Sequence, residues 1–169
     1  MKPINVGIIG TGWTGGIRAN ACSKTPLINE LHIAETNPER LEEIKEETNP
    51  TFATNDWEEL IKQKGLDAII ISATPETTHY PMIKAALEAG KHVLCEKPPA
   101  LNARQAQRMA KVAKDTRRVL TYGLQMLYES DVEMVKQMVD NGEFGEVYLG
   151  KASYLRRRGA PRGWFSEKD

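Results

Sequence analysis

The sequence predicts an α/β protein built on a doubly wound parallel sheet, and two observations lead to this fold class. Short apolar, β-branched segments alternate with capped helical segments through the first 122 residues. Several of these apolar segments show no polar alternation, which is typical of strands buried on both faces. After Gly123 the alternation stops. We therefore expect a first domain over residues 1–122 and the start of a second over residues 123–169.

The pattern places five strands and five helices in the first domain. We predict strands at residues 4–9, 31–34, 67–72, 92–95 and 119–122. Helices are predicted between them, at about 12–24, from 38 onward, from 57 to 64, at about 79–89 and from 103 to about 115. Asn37, Asp56 and Asn102 can cap helix N-termini, and Gly90 fits a helix C-terminus.

The second part of the chain carries two further predicted elements. A helix is expected at about 131–139, and residues 147–154 have the composition of a long strand. Such a strand would lie at the edge of an unfinished sheet, and unpaired edges seek partners. We therefore expect it either to be disordered or to pair with another chain, which would make the protein a homo-oligomer through its C-terminal strand.

Composition narrows the classes of partner and site. Lys plus Arg and Asp plus Glu each number 23, so the zero net charge gives no argument for nucleic acid or a membrane surface. The run Arg156-Arg157-Arg158 with Arg162 has no aromatic platform or DNA-binding motif beside it. We interpret it as a surface run or a segment near an anionic ligand. Cys22 and Cys95 are far apart, so we expect reduced structural thiols and no metal site.

The N-terminal residues indicate the cellular compartment of the protein. Its first residues run directly into a strand pattern rather than a secretory signal, and no stretch of about eighteen apolar residues exists. We therefore expect a cytoplasmic protein with no membrane partner.

A glycine-rich turn follows the first strand. The segment Gly10-Thr11-Gly12-Trp13-Thr14-Gly15 matches the GxGxxG pattern where a strand passes into a helix. Gly10 permits the tight turn, Gly12 lets the backbone approach a pyrophosphate, and Gly15 lets helix and strand pack closely. Free amides at the helix N-terminus would face the phosphates. The turn predicts a Rossmann-type dinucleotide site, and the alternative is a tight strand–helix connection without a ligand. The predicted contacts are Gly10, Thr11, Gly12, Trp13 and Gly15.

Glu35 lies twenty residues beyond Gly15, at the end of the second predicted strand. A carboxylate there can accept hydrogen bonds from the adenosine ribose and would repel a 2′-phosphate. No Arg or Lys follows at Thr36 or Asn37 to attract such a phosphate. We therefore expect NAD rather than NADP, and the alternative is a solvated acid at the end of a strand.

Two further loops follow predicted strands at the edge where doubly wound sheets bind ligands. One contains Thr74, Pro75 and His79, and the other contains Glu96 and Lys97. Lys97 could orient a substrate hydroxyl and help its proton leave, and a cis Lys97-Pro98 bond would fix its direction. From the residues alone, His79 could equally be an ordinary residue in the first turn of a helix. The segment with Glu96 and Lys97 could equally be an ordinary exposed loop.

These segments together resemble the glucose-fructose oxidoreductase, inositol 2-dehydrogenase and rhizopine-catabolism (Gfo/Idh/MocA) family. The resemblance implies a Rossmann domain followed by an α+β domain, and nucleotide-dependent oxidation or reduction at a sugar or polyol carbon. It also implies that Lys97 is the active-site lysine and that Thr74, Pro75, His79 and Glu96 line the cofactor. The resemblance rests on residues 6–12, Glu35 with 38–40, 67–71, Thr74-Pro75 with His79, 89–98 and 141–147.

Two departures from the family pattern limit what the resemblance implies. An arginine common after the position of Gly123 is replaced here by Leu124-Gln125-Met126-Leu127-Tyr128, so no such contact is transferred. The Asp and His that members place in a later glycine-rich helix are absent, and no His follows His92. We therefore expect little turnover of inositol or simple sugars by this chain alone. Two functions stay open: an NAD-dependent oxidoreductase or its cofactor-binding half, and a non-catalytic dinucleotide-binding module.

Overall fold

The computed structural model describes residues 2–153, 155 and 157. The chain divides into two units between Gly123 and Leu124. The domain boundary expected near residue 122 stays a prediction, because a division by contacts does not test what each part does.

Six parallel strands form the first unit: β1 (Ile4–Ile9), β2 (Ile28–Ala34), β3 (Phe52–Thr54), β4 (Ala68–Ile71), β5 (His92–Cys95) and β6 (Leu120–Tyr122). Their order in the sheet is β3-β2-β1-β4-β5-β6. The strand order therefore reverses between β1 and β4, which pair directly, with Ile9 opposite Ile71. This confirms the predicted doubly wound α/β fold.

Five helices accompany the sheet: α1 (Trp13–Lys24), α2 (Pro38–Thr48), α3 (Trp57–Ile61), α4 (His79–Glu88) and α5 (Ala103–Thr116). The side chains of Asn37, Asp56 and Asn102 accept hydrogen bonds from amides in the first turns of α2, α3 and α5, as their sequence positions predicted. A short 3-10 helix, Glu76–Thr78, precedes α4.

The sheet has an apolar layer on each face. Ile8 and Ile9 are adjacent in β1 yet belong to different layers, because successive side chains of a strand point to opposite faces. One layer holds Val6, Ile8, Ala19, Leu31, Ile33 and Ile44, and the larger one includes Ile69, Ile71, Ile83, Leu87, Val93 and Met109. The buried layers fix the carboxyl ends of all six strands at one edge.

The two thiols lie in this unit. Cys95 is buried at the end of β5, and desolvation raises the pKa of its thiol to about 12. Burial also raises the pKa of the Cys22 thiol, which lies on α1. Neither cysteine forms a disulfide with the other. The expectation of reduced structural thiols agrees with this placement.

The strand boundaries differ from the sequence expectation in two places. β2 begins at Ile28 rather than at residue 31, because its first half is a partly exposed, mixed polar segment that carries little apolar signal. β3 was not predicted at all. Its three residues, including two that are only half-buried, are too short to show a period.

The second unit contains a 3-10 helix, Gln125–Tyr128, and helix α6, Ser130–Asp140. The strand expected at 147–154 is wrong over 147–153, which form no regular element. The physical reason is the lack of a neighbour: backbone amides and carbonyls of a strand need a partner, and within the described residues no strand lies beside this segment. Tyr148 is 92% exposed. The predicted homo-oligomer stays a prediction.

Parts of the sequence interpretation lie outside the described residues. These are Tyr154 and, in the arginine run, Arg156, Arg158 and Arg162. Within the described part of the chain, no helix has both the length and the apolar character required to span a membrane.

Candidate dinucleotide site

The glycine turn joins β1 to α1 at the point where the strand order reverses. Gly10 has φ +82°, a left-handed conformation that L side chains rarely adopt, and an added Cβ would lie 2.7 Å from the Cα of Ala73. An added Cβ at Gly15 would overlap the carbonyl oxygen of Gly10. Both glycines are therefore required for α1 to pack against the strand ends, as predicted.

Gly12 has a different environment from its two neighbours in the motif. A Cβ added there would meet no atom of the described part of the chain within 4 Å, so packing among these residues does not require glycine. Gly12 begins α1 without a side-chain cap, and the first turn of α1 carries no acidic residue. The first amides of a helix have no partner inside it and attract anions. Gly12 therefore leaves open the space that a pyrophosphate would use, and Trp13 beside it is exposed.

Glu35 is held against the glycine turn by hydrogen bonds. Its Oε2 accepts from the amide of Thr11 at 2.6 Å and from the Thr11 hydroxyl at 2.8 Å, and its Oε1 accepts from the Asn37 amide at 3.0 Å. Burial alone would raise the pKa of Glu35, but these donors together with the Thr36 amide lower it below its ordinary value. The carboxylate is therefore charged and fixed in direction at the end of β2.

Arg40 on α2 is hydrogen-bonded to the same turn. Its Nε donates to the carbonyl of Thr11 at 2.9 Å, and its Nη1 donates to Glu47 at 2.9 Å and to Glu43 at 3.0 Å. Gly16 leaves room for this guanidinium, because an added Cβ would lie 2.8 Å from Nη2. Thr11 is thus bonded through its amide, hydroxyl and carbonyl, which fixes the turn on both sides.

The loop after β4 and the loop after β5 are joined through His79. The imidazole is 2% exposed, with Nε2 2.8 Å from the carbonyl oxygen of Ala73 and Nδ1 2.8 Å from that of Pro98. The Thr74-Pro75 and Lys97-Pro98 bonds are both cis. Because both ring nitrogens face carbonyls of the chain, the ring positions the two loops. The role predicted for His79, lining the cofactor, stays a prediction, as it does for Thr74 and Pro75, which are exposed.

Glu96 and Lys97 follow β5. Arg18 of α1 donates to Glu96 Oε1 from Nε at 2.9 Å and also from Nη2, and the Lys97 amide donates to Oε2 at 3.3 Å. Within the described residues, the Lys97 ammonium has no hydrogen-bond or ion-pair partner, and the side chain is exposed. The structure therefore presents one fixed carboxylate and one free ammonium side by side.

A dinucleotide fits the residues at this edge. Gly12 leaves the space open, the N-terminus of α1 supplies free amides, and Glu35 supplies a fixed carboxylate on the β2 side. The Oγ of Ser72, buried near Gly15, has no hydrogen-bond partner among the residues that the structure describes. An unpaired buried hydroxyl at a sheet edge is a feature that a polar ligand explains.

The sequence identified the glycine turn, Glu35, Glu96 and Lys97, but it did not identify the groups that hold them. Arg18 and Gly123 contact Glu96, although they lie 78 and 27 residues away from it in sequence. The only available signal for Gly123 was a glycine directly after a predicted strand. Arg18 gave no signal, because one arginine on a helix face is ordinarily solvated.

Comparison with known proteins now decides the family. Residues 4–124 match the profile of the oxidoreductase family with an NAD-binding Rossmann fold. The chain belongs to this family. The match confirms the resemblance deduced from the motifs and the predicted cofactor, NAD.

Known relatives extend the comparison over nearly the whole chain. D-glucoside 3-dehydrogenase of Escherichia coli is 32% identical over 99% of this chain and 48% of its own length. The crystal structure of scyllo-inositol dehydrogenase from Lactobacillus casei, with bound NAD(H) and scyllo-inositol, superposes with a TM-score of 0.79 at 28% identity over 86% of this chain and 43% of that one. Levoglucosan dehydrogenase in complex with NADH gives 0.78 at 30% identity over 85% and 41%. The chain therefore spans less than half the length of these relatives.

Proposed function

We propose that this chain provides the NAD-binding half of a dehydrogenase that oxidises a hydroxyl-bearing carbon of a sugar or polyol. The observation that carries the proposal is the common edge. The glycine turn, Glu35 and the Glu96-Lys97 pair follow β1, β2 and β5 of one parallel sheet in a chain of this oxidoreductase family. Relatives named for glucosides, levoglucosan and inositols support the substrate class.

The strand order suggests how the dinucleotide lies along the edge. In doubly wound sheets the pyrophosphate sits at the reversal point, here the N-terminus of α1 between β1 and β4. Glu35 on the β2 side then receives the adenosine ribose. The opposite end, with the nicotinamide riboside, extends toward the loops after β4 and β5, where Glu96 and Lys97 lie.

In this arrangement each group has a distinct role. The bound NAD supplies the ring that accepts the hydride from the substrate carbon. Lys97 donates a hydrogen bond to the substrate hydroxyl oxygen and stabilises the negative charge that develops there as the hydroxyl proton passes to a general base supplied by the rest of the dehydrogenase. Because its ammonium is exposed and unpaired among the described residues, it is available for this role.

Glu35 supports selectivity for NAD. A carboxylate whose pKa is lowered is charged at neutral pH, so a 2′-phosphate on the adenosine ribose would meet a fixed negative charge. Arg40, a cation that contacts the glycine turn on that side, is already paired with Glu43 and Glu47.

Titration of the full chain with NAD and NADP tests the binding proposal. We expect the wild type to bind NAD at least about tenfold more tightly than NADP, and Glu35→Gln to reduce this preference. Glu46→Gln, which alters an exposed acid on α2, is the matched control. Absence of binding to either nucleotide would refute the proposal, and a preference for NADP would refute the role of Glu35.

Reduction of NAD in the presence of inositols, levoglucosan and simple glucosides tests the catalytic part. Any turnover should be lost in Lys97→Met and kept in Lys62→Met, an exposed lysine on another surface. Tight binding of NAD with little turnover is the result expected of this half alone, whereas turnover that Lys97→Met leaves unchanged would refute the role of Lys97.

A further inference from the structure

The Arg18–Glu96 pair links two parts of the site that the sequence does not connect. Arg18 lies on the second turn of α1, the helix whose N-terminus faces the predicted pyrophosphate, whereas Glu96 follows β5. The side chains are largely buried, with exposures of 23% for Arg18 and 12% for Glu96. The pair therefore spans the point where the strand order reverses and joins the two sides of the sheet edge.

The hydrogen bonds divide the Glu96 carboxylate into two unlike oxygens. Oε1 receives both guanidinium donors, from Nε at 2.9 Å and from Nη2. Among the described residues, Oε2 receives only the Lys97 amide, at 3.3 Å. A carboxylate oxygen accepts about two hydrogen bonds, so Oε1 is saturated and Oε2 keeps an open position.

Gly123 lies next to the same carboxylate and leaves room for it. An added Cβ at Gly123 would lie 2.6 Å from Oε1 and 2.8 Å from both the Cδ and Oε2 of Glu96. The φ of Gly123 is not in the left-handed region, so the backbone does not require glycine there. The requirement comes from the carboxylate, which Arg18 holds from α1 in the space that a Cβ at position 123 would need.

We infer that Arg18 and Gly123 are positioning residues that direct Oε2 of Glu96 toward the ribose of the nicotinamide half of NAD. The inference rests on the proposed function, because it takes the orientation of NAD along the edge from there. A purely structural ion pair would tie α1 to β5 without favouring one half of the cofactor. The two cases differ in which ligand loses affinity when the pair is altered.

ADP and NAD separate the two halves of the ligand. ADP contains the adenosine and both phosphates but lacks the nicotinamide riboside, so it contacts the glycine turn and Glu35 without reaching Glu96. The full 169-residue chain is titrated with each nucleotide, and the ratio of the two affinities is the readout. Thermal unfolding of each variant is followed in parallel.

We expect Arg18→Ala to lower the affinity for NAD about tenfold and to leave that for ADP within about twofold, since one charge-assisted hydrogen bond to the ligand is weakened. Gly123→Ala should act in the same direction, although it keeps both charges. Arg18→Lys should restore part of the loss, because an ammonium can supply one donor to Oε1. Arg108→Ala, an exposed arginine on α5, should change neither affinity.

If Arg18→Ala alone unfolds because it leaves the Glu96 carboxylate unpaired, a double variant still tests the inference. Arg18→Ala combined with Glu96→Gln removes both charges, and its loss of NAD affinity should be no greater than that of Glu96→Gln alone. Equal losses for NAD and ADP, additive losses, or no loss would overturn the inference while wild-type NAD binding upheld the proposed function. A wild type that binds neither nucleotide would overturn both.

Discussion

The two sides of the binding edge are held together differently. On the β1–β2 side, Glu35 and Thr11 are 24 residues apart and bond directly at the start of a GxGxxG turn. On the β4–β5 side, the loops are held by single side chains from elsewhere, His79 to Pro98 and Arg18 to Glu96. The first side is held by residues of a spaced sequence motif, and the second by side chains that no such motif specifies.

We expect from this difference that the β1–β2 side of the edge tolerates little change in its backbone, whereas the β4–β5 side depends on side chains that fix loops. Such loops are also where function commonly resides on a rigid scaffold. Variants that separate backbone packing, ligand space and loop position can test this division.

The largest effect is expected for Gly15→Ala. A methyl group there would overlap the carbonyl oxygen of Gly10. This oxygen belongs to the backbone and cannot rotate away as a side chain would. We expect a loss of more than about 3 kcal/mol in the free energy of unfolding, measured by denaturant titration. Stability within about 1 kcal/mol of the wild type would contradict the close packing of α1 on β1.

Gly12→Ala should give the opposite result within the same turn. Its added Cβ meets no atom of the described residues within 4 Å, so the free energy of unfolding should change by less than about 1 kcal/mol, while NAD affinity falls at least about tenfold. Comparison with Gly15→Ala isolates ligand space from packing. Unchanged NAD affinity in a folded Gly12→Ala protein would show that the backbone at Gly12 does not approach the cofactor.

The sequence predicted the first side of the edge far better than the second. Gly10, Gly12, Gly15 and Glu35 have a fixed spacing because one strand, one turn and one helix dictate it. Glu96 and Lys97 were found because they follow a strand and belong to a family motif. Their supports, such as Arg18, depend on how α1 and β5 pack, and a single sequence carries no spacing rule for such pairs.

The same limit explains the errors elsewhere. The segment 147–153 has strand-like composition, yet pairing requires a neighbour, which composition does not reveal. β3 has a neighbour, β2, and forms a strand of three residues despite a weak pattern. In both cases the presence or absence of a neighbouring strand outweighs the local sequence pattern.

His79→Ala should loosen the second side while sparing the first. The substitution leaves the carbonyls of Ala73 and Pro98 without their imidazole partner, and we expect a loss of about 1–2 kcal/mol in stability. Hydrogen exchange should increase at the amides after β5 and not at Thr11. His92→Ala is the matched control, because His92 accepts one bond from the Val119 amide at the opposite edge. Equal exchange in both variants would rule out a positioning role for His79.

The smallest effect is expected from acid, and it concerns the first side alone. The hydrogen bonds from Asn37, Thr11 and Thr36 outweigh burial and lower the pKa of Glu35 below the ordinary 4.5 of a glutamate. Because the folded protein favours the ionised form, the contribution of Glu35 to the free energy of unfolding is present above the unfolded pKa and is lost only as the pH falls through the lower folded value. Glu35 therefore keeps its charge, and with it its expected interaction with NAD, down to that lower pH. NAD affinity should therefore stay constant within about twofold from about pH 8 to pH 5 in the wild type. A loss of affinity that begins near pH 6 and disappears in Glu35→Gln would show that Glu35 is protonated earlier than these hydrogen bonds allow.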